Sequence, residues 1–321
     1  MFQVRTAMLK PMVHRSSLTE VGELLTPADH GACKAVPLRS YPFSLQTSVL
    51  ELSGLSLQTG RSTPLAVLGT LPADTAWILL PLHGCRTVRL GGRAAGTHAV
   101  AVFGAAAEYE MANSQDSSWA LIALRAADVG SVLTLPRRST VLRPGGVAWL
   151  HTDAAAWTFA ATLMQDATEV MEKDPDVFQV EEACRSLRAA VLEACQDLLA
   201  GPAGGRKPST LPAAPASLRR IVRLADDYLA AYPSRATDTA QLASAVGVSE
   251  ARLRLAFQTI LGISATKYLV ARRLVLVRMA LRSPERPWVS VEEAAQAHGF
   301  WNRRSFERAY RLMFREALLR R

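Results

Sequence analysis

Apolar and polar residues alternate in two different rhythms along this chain. From about Tyr41 to Ala126 the segments are short and strand-like. Ser44 to Gly54 alternates, Ala76 to Leu82 is an unbroken apolar run, Thr87 to Leu90 leads into Gly91-Gly92, and Trp119 to Leu124 is apolar again. Period-two patterning and a Gly-Gly hairpin signal predict a β-barrel or sandwich built of many short strands. After Asp153, an N-cap type, the period becomes helical. One helix is expected to about Lys173, stopped by Asp174-Pro175, and a second from about Asp176 to Ala200. In the second, Val180, Cys184, Leu187, Val191, Ala194 and Leu198 form a near-heptad seam. Such a seam fits packing on its own domain and a dimer interface equally well.

Gly201 to Ser217 holds four prolines and three glycines and reads as a linker. It divides the chain into 1–200, 201–217 and 218–321. Beyond it an amphipathic helix, Leu218 to Tyr232, ends before Pro233. Two similar units follow. The first runs Leu242-Ala243, Gly247-Val248-Ser249, Leu253, Phe257; the second runs Ala294-Ala295, Gly299-Phe300, Phe306, Tyr310. Alanine and glycine are four apart in both, and the later anchors differ by one residue. A helix, a glycine stop and a second amphipathic helix describe a helix-turn-helix, here in tandem. A helix from Ser264 to Leu281 joins the two. Asp238 and Ser249 are N-caps of the first unit, Ser290 to Glu293 is a capping box opening the second, and its last helix spans Asn302 to Met313.

Charge sharpens this division. The net +9 is carried by residues 218–321, with 19 Lys and Arg against 9 Asp and Glu, leaving −1 for residues 1–217. One end of the chain is the polyanion binder. Cys33, Cys85, Cys184 and Cys195 lack Cys-x-x-Cys spacing, which argues against zinc and for reduced, buried thiols. His83 and His98 stand apart from any ligand cluster, so neither metal nor other cofactor is expected. The N-terminus carries no signal-peptide pattern, and no apolar run approaches a membrane span. The expectation is a cytoplasmic protein.

The order and spacing of Leu242-Ala243, Gly247 with Ser249, Leu253, Phe257, Leu261-Gly262 with Ser264, Tyr268-Leu269, Arg273-Leu274, Ser290-Val291, Ala295, Gly299-Phe300, Phe306 and Tyr310 resemble the AraC-type transcription regulators. The resemblance covers about residues 218–314. It departs at Ala265, where the family has proline, and in Phe314 to Leu318, which lack the family's Phe-Gly-x-x-Pro. Residues 20–200 more weakly resemble the family's cupin-like effector-binding domain. The implied architecture is a two-domain α+β protein, a cupin-like barrel or sandwich with following helices and then an all-α domain with two reading units.

The resemblance implies a non-enzymatic, sequence-specific DNA-binding regulator, an activator responsive to a small molecule, homodimeric and acting on RNA polymerase. A sheet domain that binds a partner protein, or a cupin-type enzyme with a DNA-binding tail, are the rival readings. In a tandem reader both recognition helices enter the major groove of double-stranded DNA about one helical turn apart. Base contacts are expected from Arg252 and Arg254 in the first unit and from Arg303, Arg304, Glu307 and Arg308 in the second. The alternative is that some of these only neutralise phosphates or that Glu307 pairs with Arg303 along the helix. Thr266, Lys267 and Arg272 are expected at phosphates, Arg273 in an internal ion pair, and Tyr268, His298 and Trp301 in packing. Candidate effector-pocket residues are Trp77, His83, Arg86, Arg89, Tyr109 and Trp119.

Overall fold

The computed structural model describes residues 13–18, 23–25, 32–39, 43–84, 87–125, 129, 143–200, 210–211, 214–233, 237–282 and 290–314. The N-terminal region consists of two antiparallel sheets, and a helical C-terminal region follows. The strands are β1 Val13–Leu18, β2 Glu23–Leu25, β3 Ala32–Pro37, β4 Leu45–Leu52, β5 Leu55–Ser62, β6 Leu65–Thr70, β7 Thr75–His83, β8 Val88–Leu90, β9 Arg93–Ala94, β10 Ala99–Phe103, β11 Glu108–Asn113, β12 Ser117–Arg125, β13 Val147–His151 and β14 Thr210–Leu211. One sheet has the order β1-β4-β5-β12-β7-β10-β13-β14, the other β2-β3-β6-β11-β8-β9. The sheets do not close on each other, so the expected barrel is an open sandwich.

The apolar run Ala76 to Leu82 follows from burial on both faces of the larger sheet. Trp77 and Leu79 point toward the smaller sheet, while Ile78 and Leu80 point the other way. That outer face is covered by α1 Ala154–Lys173 and α2 Glu181–Ala200, separated by a 3-10 turn at Pro175–Gln179. Asp153 caps α1 by accepting from the backbone N–H of Ala155 and Ala156. Ala160, Met164, Ala167 and Met171 recur at helical spacing and pack with Ile78, Leu80, Val100 and Ile122. In α2 the seam residues Cys184, Val191, Ala194 and Leu198 are buried in the same cluster. Their apolar face is therefore occupied within the chain itself.

The outer face of the smaller sheet carries the rest of the molecule. Helix α3 Ala216–Ala231 and the helices that follow, α4 Thr239–Val246, α5 Glu250–Ile260, α6 Ala265–Arg282, α7 Val291–Ala297 and α8 Arg303–Phe314, share one continuous apolar core with that sheet. Within the Pro/Gly-rich segment, Thr210–Leu211 pairs with β13, and the Ala214 N–H donates to the Gly91 carbonyl at 2.9 Å. This part of the linker is laid along the sheet domain; residues 201–209 and 212–213 lie outside the described residues. The Gly91-Gly92 turn forms as expected, with φ of 52° and 82° between β8 and β9. It reaches the C-terminal end of α5, where a Cβ on Gly92 would stand 2.9 Å from the Thr259 carbonyl oxygen. Only glycine combines that φ with that approach.

Candidate nucleic-acid interface and effector cavity

The two reading units use one turn design. In the first, Gly247 ends α4 in the left-handed region and the Val248 N–H donates to the Ala243 carbonyl at 2.9 Å. In the second, Gly299 has φ of 83° and the Phe300 N–H donates to Ala295 at 3.0 Å. Both are glycine-terminated helix ends that satisfy otherwise orphaned carbonyls. The next helix then opens on a side-chain cap. Ser249 Oγ accepts from Arg252 N–H in α5, and Asn302 Oδ1 accepts from Ser305 N–H at α8. Ser249 follows its glycine by two residues and Asn302 by three, which is the single-residue offset between the copies. Asp238 forms a reciprocal capping box with Gln241 at α4, and Ser290 caps α7.

The apolar anchors face inward as the repeat implies. Leu253 and Phe257 of α5 are buried, as are Phe306 and Tyr310 of α8. Phe300, Phe306, Tyr310 and Phe314 form a ladder of ring contacts 4.8–5.6 Å apart. The opposite faces carry the expected DNA-contacting residues. Arg252 and Arg254 are exposed, with Arg252 donating to Ser217 Oγ at 3.2 Å. On α8, Arg304 and Arg308 are exposed and make no ion pair among the described residues. Arg303 is held by Glu307 at 2.8 Å and Glu292 at 3.3 Å, and Glu307 also takes Arg311 at 3.0 Å. Those carboxylates push the Arg303 guanidinium up from its ordinary value. The structure therefore places Glu307 in pairing along the helix.

Thr266 and Lys267 are exposed in the first turn of α6. Arg272, expected at a phosphate, is turned inward onto Asp226 of α3. Asp226 is 3% exposed and also accepts from Tyr268 Oη at 2.7 Å and Lys34 Nζ at 3.3 Å. Burial first, and Asp226 next, push the Tyr268 phenol well above its usual range. A buried carboxylate demands such partners, and Arg272 is the nearest cation on α6 able to supply one. Arg273 donates to the Thr237 carbonyl, with burial drawing its pKa down. His298 is buried as expected, whereas Trp301, expected in packing, is 90% exposed.

Between the two sheets lies a cavity of about 390 Å³. Trp77, Tyr109 and Trp119 line it, with Cys33, Leu79, Phe103 and Leu121 among the apolar wall and Asn113 and Gln58 among the polar groups. Sequence reasoning missed the latter set. Its signal was the inward half of each alternating strand, which cannot be told from the outward half before the register is known. His83 is exposed at the end of β7, away from the cavity, and Arg89 donates to the Gly92 carbonyl and approaches Gly262. Arg86 lies outside the described residues. Asn113 is saturated: its Nδ2 meets Gln115 O at 2.8 Å and Ser117 Oγ at 2.9 Å, and its Oδ1 accepts from Leu65 N–H at 3.0 Å. It holds strand ends together and has no donor to spare for a ligand.

The cavity wall and the domain junction are two faces of the same three strands. Cys33, Gly69 and Tyr109 stand side by side in register across β3, β6 and β11, and the next row along is Lys34, Leu68 and Glu110. The first row faces the cavity, where burial raises the Cys33 thiol to about 11 and the Tyr109 phenol well above its usual range. The second row faces α3. Glu110 is wholly buried and accepts from Arg219 Nε at 2.6 Å and from Arg223 Nε. Arg223 Nη2 further donates to the carbonyls of both Gly69 and Tyr109 at 3.0 Å.

Residues 242–319 match the sequence profile of a family described as a helix-turn-helix domain. That segment is a helix-turn-helix domain, as its AraC-type resemblance implies. Among solved structures, the chain is similar to the AraC-like transcriptional activator CuxR, with 12% identity over 76% of this chain and 85% of that one, at a TM-score of 0.37. It is also similar to ToxT from Vibrio cholerae O395, with 7% identity, 96% and 95% coverage and a TM-score of 0.29. A third similarity is to the unsaturated fatty acid bound wild-type ToxT from Vibrio cholerae strain SCE256, at 8% identity, 96% and 92% coverage and a TM-score of 0.28. Among the described residues no helix is long and apolar enough to cross a membrane.

Proposed function

We propose that the protein is a sequence-specific DNA-binding transcription regulator, an activator, whose sheet domain senses a small molecule in the cavity between its sheets. The observation that carries the sensing part is Arg223. This residue of α3 is bonded at once to Glu110 and to the carbonyls of Gly69 and Tyr109, whose strand positions form the cavity wall. A ligand that displaced the Tyr109 ring would shift the backbone that Arg223 grips, and α3 leads directly into the first reading unit. The cavity volume falls in the range of small-molecule sites, and its mostly apolar wall with a few polar groups is of the usual kind. DNA is met by α5 and α8, with Arg252, Arg254, Arg304 and Arg308 as base or phosphate contacts and Thr266 and Lys267 at phosphates. A homodimer acting on RNA polymerase completes the reading. Its dimer surface lies elsewhere than the buried seam of α2.

The test is binding of full-length protein to duplexes selected from a random pool and to scrambled versions, across a salt series, for wild type, Arg304→Ala and Arg308→Ala. Loss of preference in either variant supports direct readout by α8. Equal binding to every sequence that fades with salt leaves only nonspecific electrostatics. The sensing part predicts that compounds raising the thermal midpoint of wild type also change its DNA affinity. A stabilising compound without effect on DNA binding overturns the coupling.

A further inference from the structure

Trp301 is the most exposed large apolar side chain among the described residues, at 90%, against 52% for the next, Tyr232. Its neighbours on both sides are bonded to the rest of the unit. On one side Phe300 is fixed by its N–H bond to Ala295 and by ring contact with Phe306 at 5.0 Å. On the other, Asn302 caps α8 through Ser305 N–H at 2.9 Å. The turn therefore presents an indole to solvent at a fixed place, immediately ahead of the second recognition helix. Two observations say what would cover it. The exposed residues that follow, Arg304 and Arg308, make no ion pair among the described residues, and the segment 218–321 carries a net +10. The positive end of the α8 dipole also favours an anion.

Resting on the DNA-reading function proposed above, we infer that Trp301 lies against the deoxyribose–phosphate backbone beside the groove entered by α8. On this inference Trp301, one place outside the cap, lies over the strand flanking the groove rather than among the base edges met by the N-terminal residues of α8. Indole matches that surface. It has a broad apolar face for a sugar and a single N–H donor with no acceptor, facing phosphate oxygens that only accept. Trp301 is thus a positioning residue: it fixes how α8 is seated without reading sequence.

The experiment uses full-length protein and a selected duplex of about 30 base pairs, long enough for two groove insertions one helical turn apart. Trp301→Ala is expected to weaken binding about tenfold, equivalent to about 1.4 kcal/mol. The loss should be equal on selected and scrambled duplexes, so the preference ratio is kept. Because indole is uncharged, the salt slope should not change, whereas Lys267→Ala should lower it by about one. Trp301→Phe, which keeps a ring and loses the donor, should fall between. The emission quenched by DNA in wild type, less that quenched in Trp301→Phe, reports the indole directly. An unchanged thermal midpoint in the variants separates this role from folding.

Wild-type affinity in Trp301→Ala overturns the assignment while leaving the DNA-reading function standing. A lost preference ratio overturns it in favour of base contact, and a lost oligomer without DNA overturns it in favour of a second copy of the chain. Failure of wild type to bind any duplex removes both this inference and the function it rests on.

Discussion

Glu110 and Arg219 meet at 2.6 Å across the junction between the sheet domain and the helical region, and the carboxylate is wholly buried there. Arg223 takes its other oxygen. Two guanidiniums from one turn of α3 therefore neutralise a charge that the outer face of β11 would not tolerate alone. The pair is more than a decoration of a surface that packs for other reasons. Leu68 and Ala66 beside it are buried in the core that joins both regions. The ion pairs and the apolar contacts thus hold α3 to the same face of the smaller sheet.

Glu110→Gln removes the charge, leaving Arg219 partly buried without a counterion and Arg223 with only the exposed Glu108 carboxylate at 3.4 Å. It should destabilise the protein by about 3 kcal/mol, at the low end for a broken buried pair because both guanidiniums keep some access to water. Urea unfolding followed by circular dichroism measures this. If sheet domain and helical region unfold in one transition in wild type and in two in Glu110→Gln, the junction is what couples them.

Asp226 makes a second, distinguishable prediction. Arg272→Ala deprives a buried carboxylate of its closest cation and should cost about 1–3 kcal/mol of stability. It should leave the salt slope of DNA binding where it was, since Arg272 is turned inward. Lys267→Ala, at an exposed position, should do the reverse, lowering the slope by about one with little effect on stability. A lowered slope for Arg272→Ala would show that it leaves Asp226 for a phosphate when DNA binds.

These residues mark where sequence reading stops. Caps at Asp153, Asp238, Ser249 and Ser290, the glycine stops and the alternating strands are all local, each set by residues within a few positions, and each is found in the structure. The tandem units were legible for the same reason. Arg272 reads as a phosphate contact because it is a basic residue near the start of α6, and its true partner, Asp226, is 46 residues away where no local pattern reaches. Three of the cavity residues named from sequence, Trp77, Tyr109 and Trp119, do line it, while Cys33, Phe103 and Leu121 needed the pairing of distant strands. The seam of α2 was compatible with two partners, and only the position of α1 and the larger sheet shows which one occupies it. Trp301 reads as a packing residue because indole is usually buried, a preference that says nothing about one side chain.

Gly69 offers a direct handle on the cavity. It stands opposite Tyr109 in β6, and a Cβ there would lie 2.4 Å from the phenol ring. Gly69→Ala must push the ring away from the strand and into the cavity. The expected cost is about 1–3 kcal/mol, the usual range for overpacking. Any compound that stabilises wild type by filling the cavity should stabilise Gly69→Ala less. Thermal melts with and without the compound check this, and equal shifts in the two proteins would place the compound elsewhere.

Cys33 gives the cavity a chemical reporter with a worked pH dependence. Burial raises its thiol from 9.0 to about 11, so the folded state keeps a proton that the unfolded state gives up between those values. Below about pH 9 both states are protonated and the group contributes no pH slope. From pH 9 to 11 stability should fall, by about 2–3 kcal/mol in total for this group. At pH 8 the thiolate fraction is about a hundredfold below that of an ordinary exposed thiol, and alkylation should be slowed at least that much. Peptide-resolved mass spectrometry after iodoacetamide pulses at pH 8, 9 and 10 reads the rate at Cys33 alone. It should rise about tenfold per pH unit without levelling off. A plateau near pH 9, or labelling at pH 8 as fast as in urea, would mean that the wall formed by Cys33, Gly69 and Tyr109 opens to water, and a ligand would then need no displacement of Tyr109 to enter.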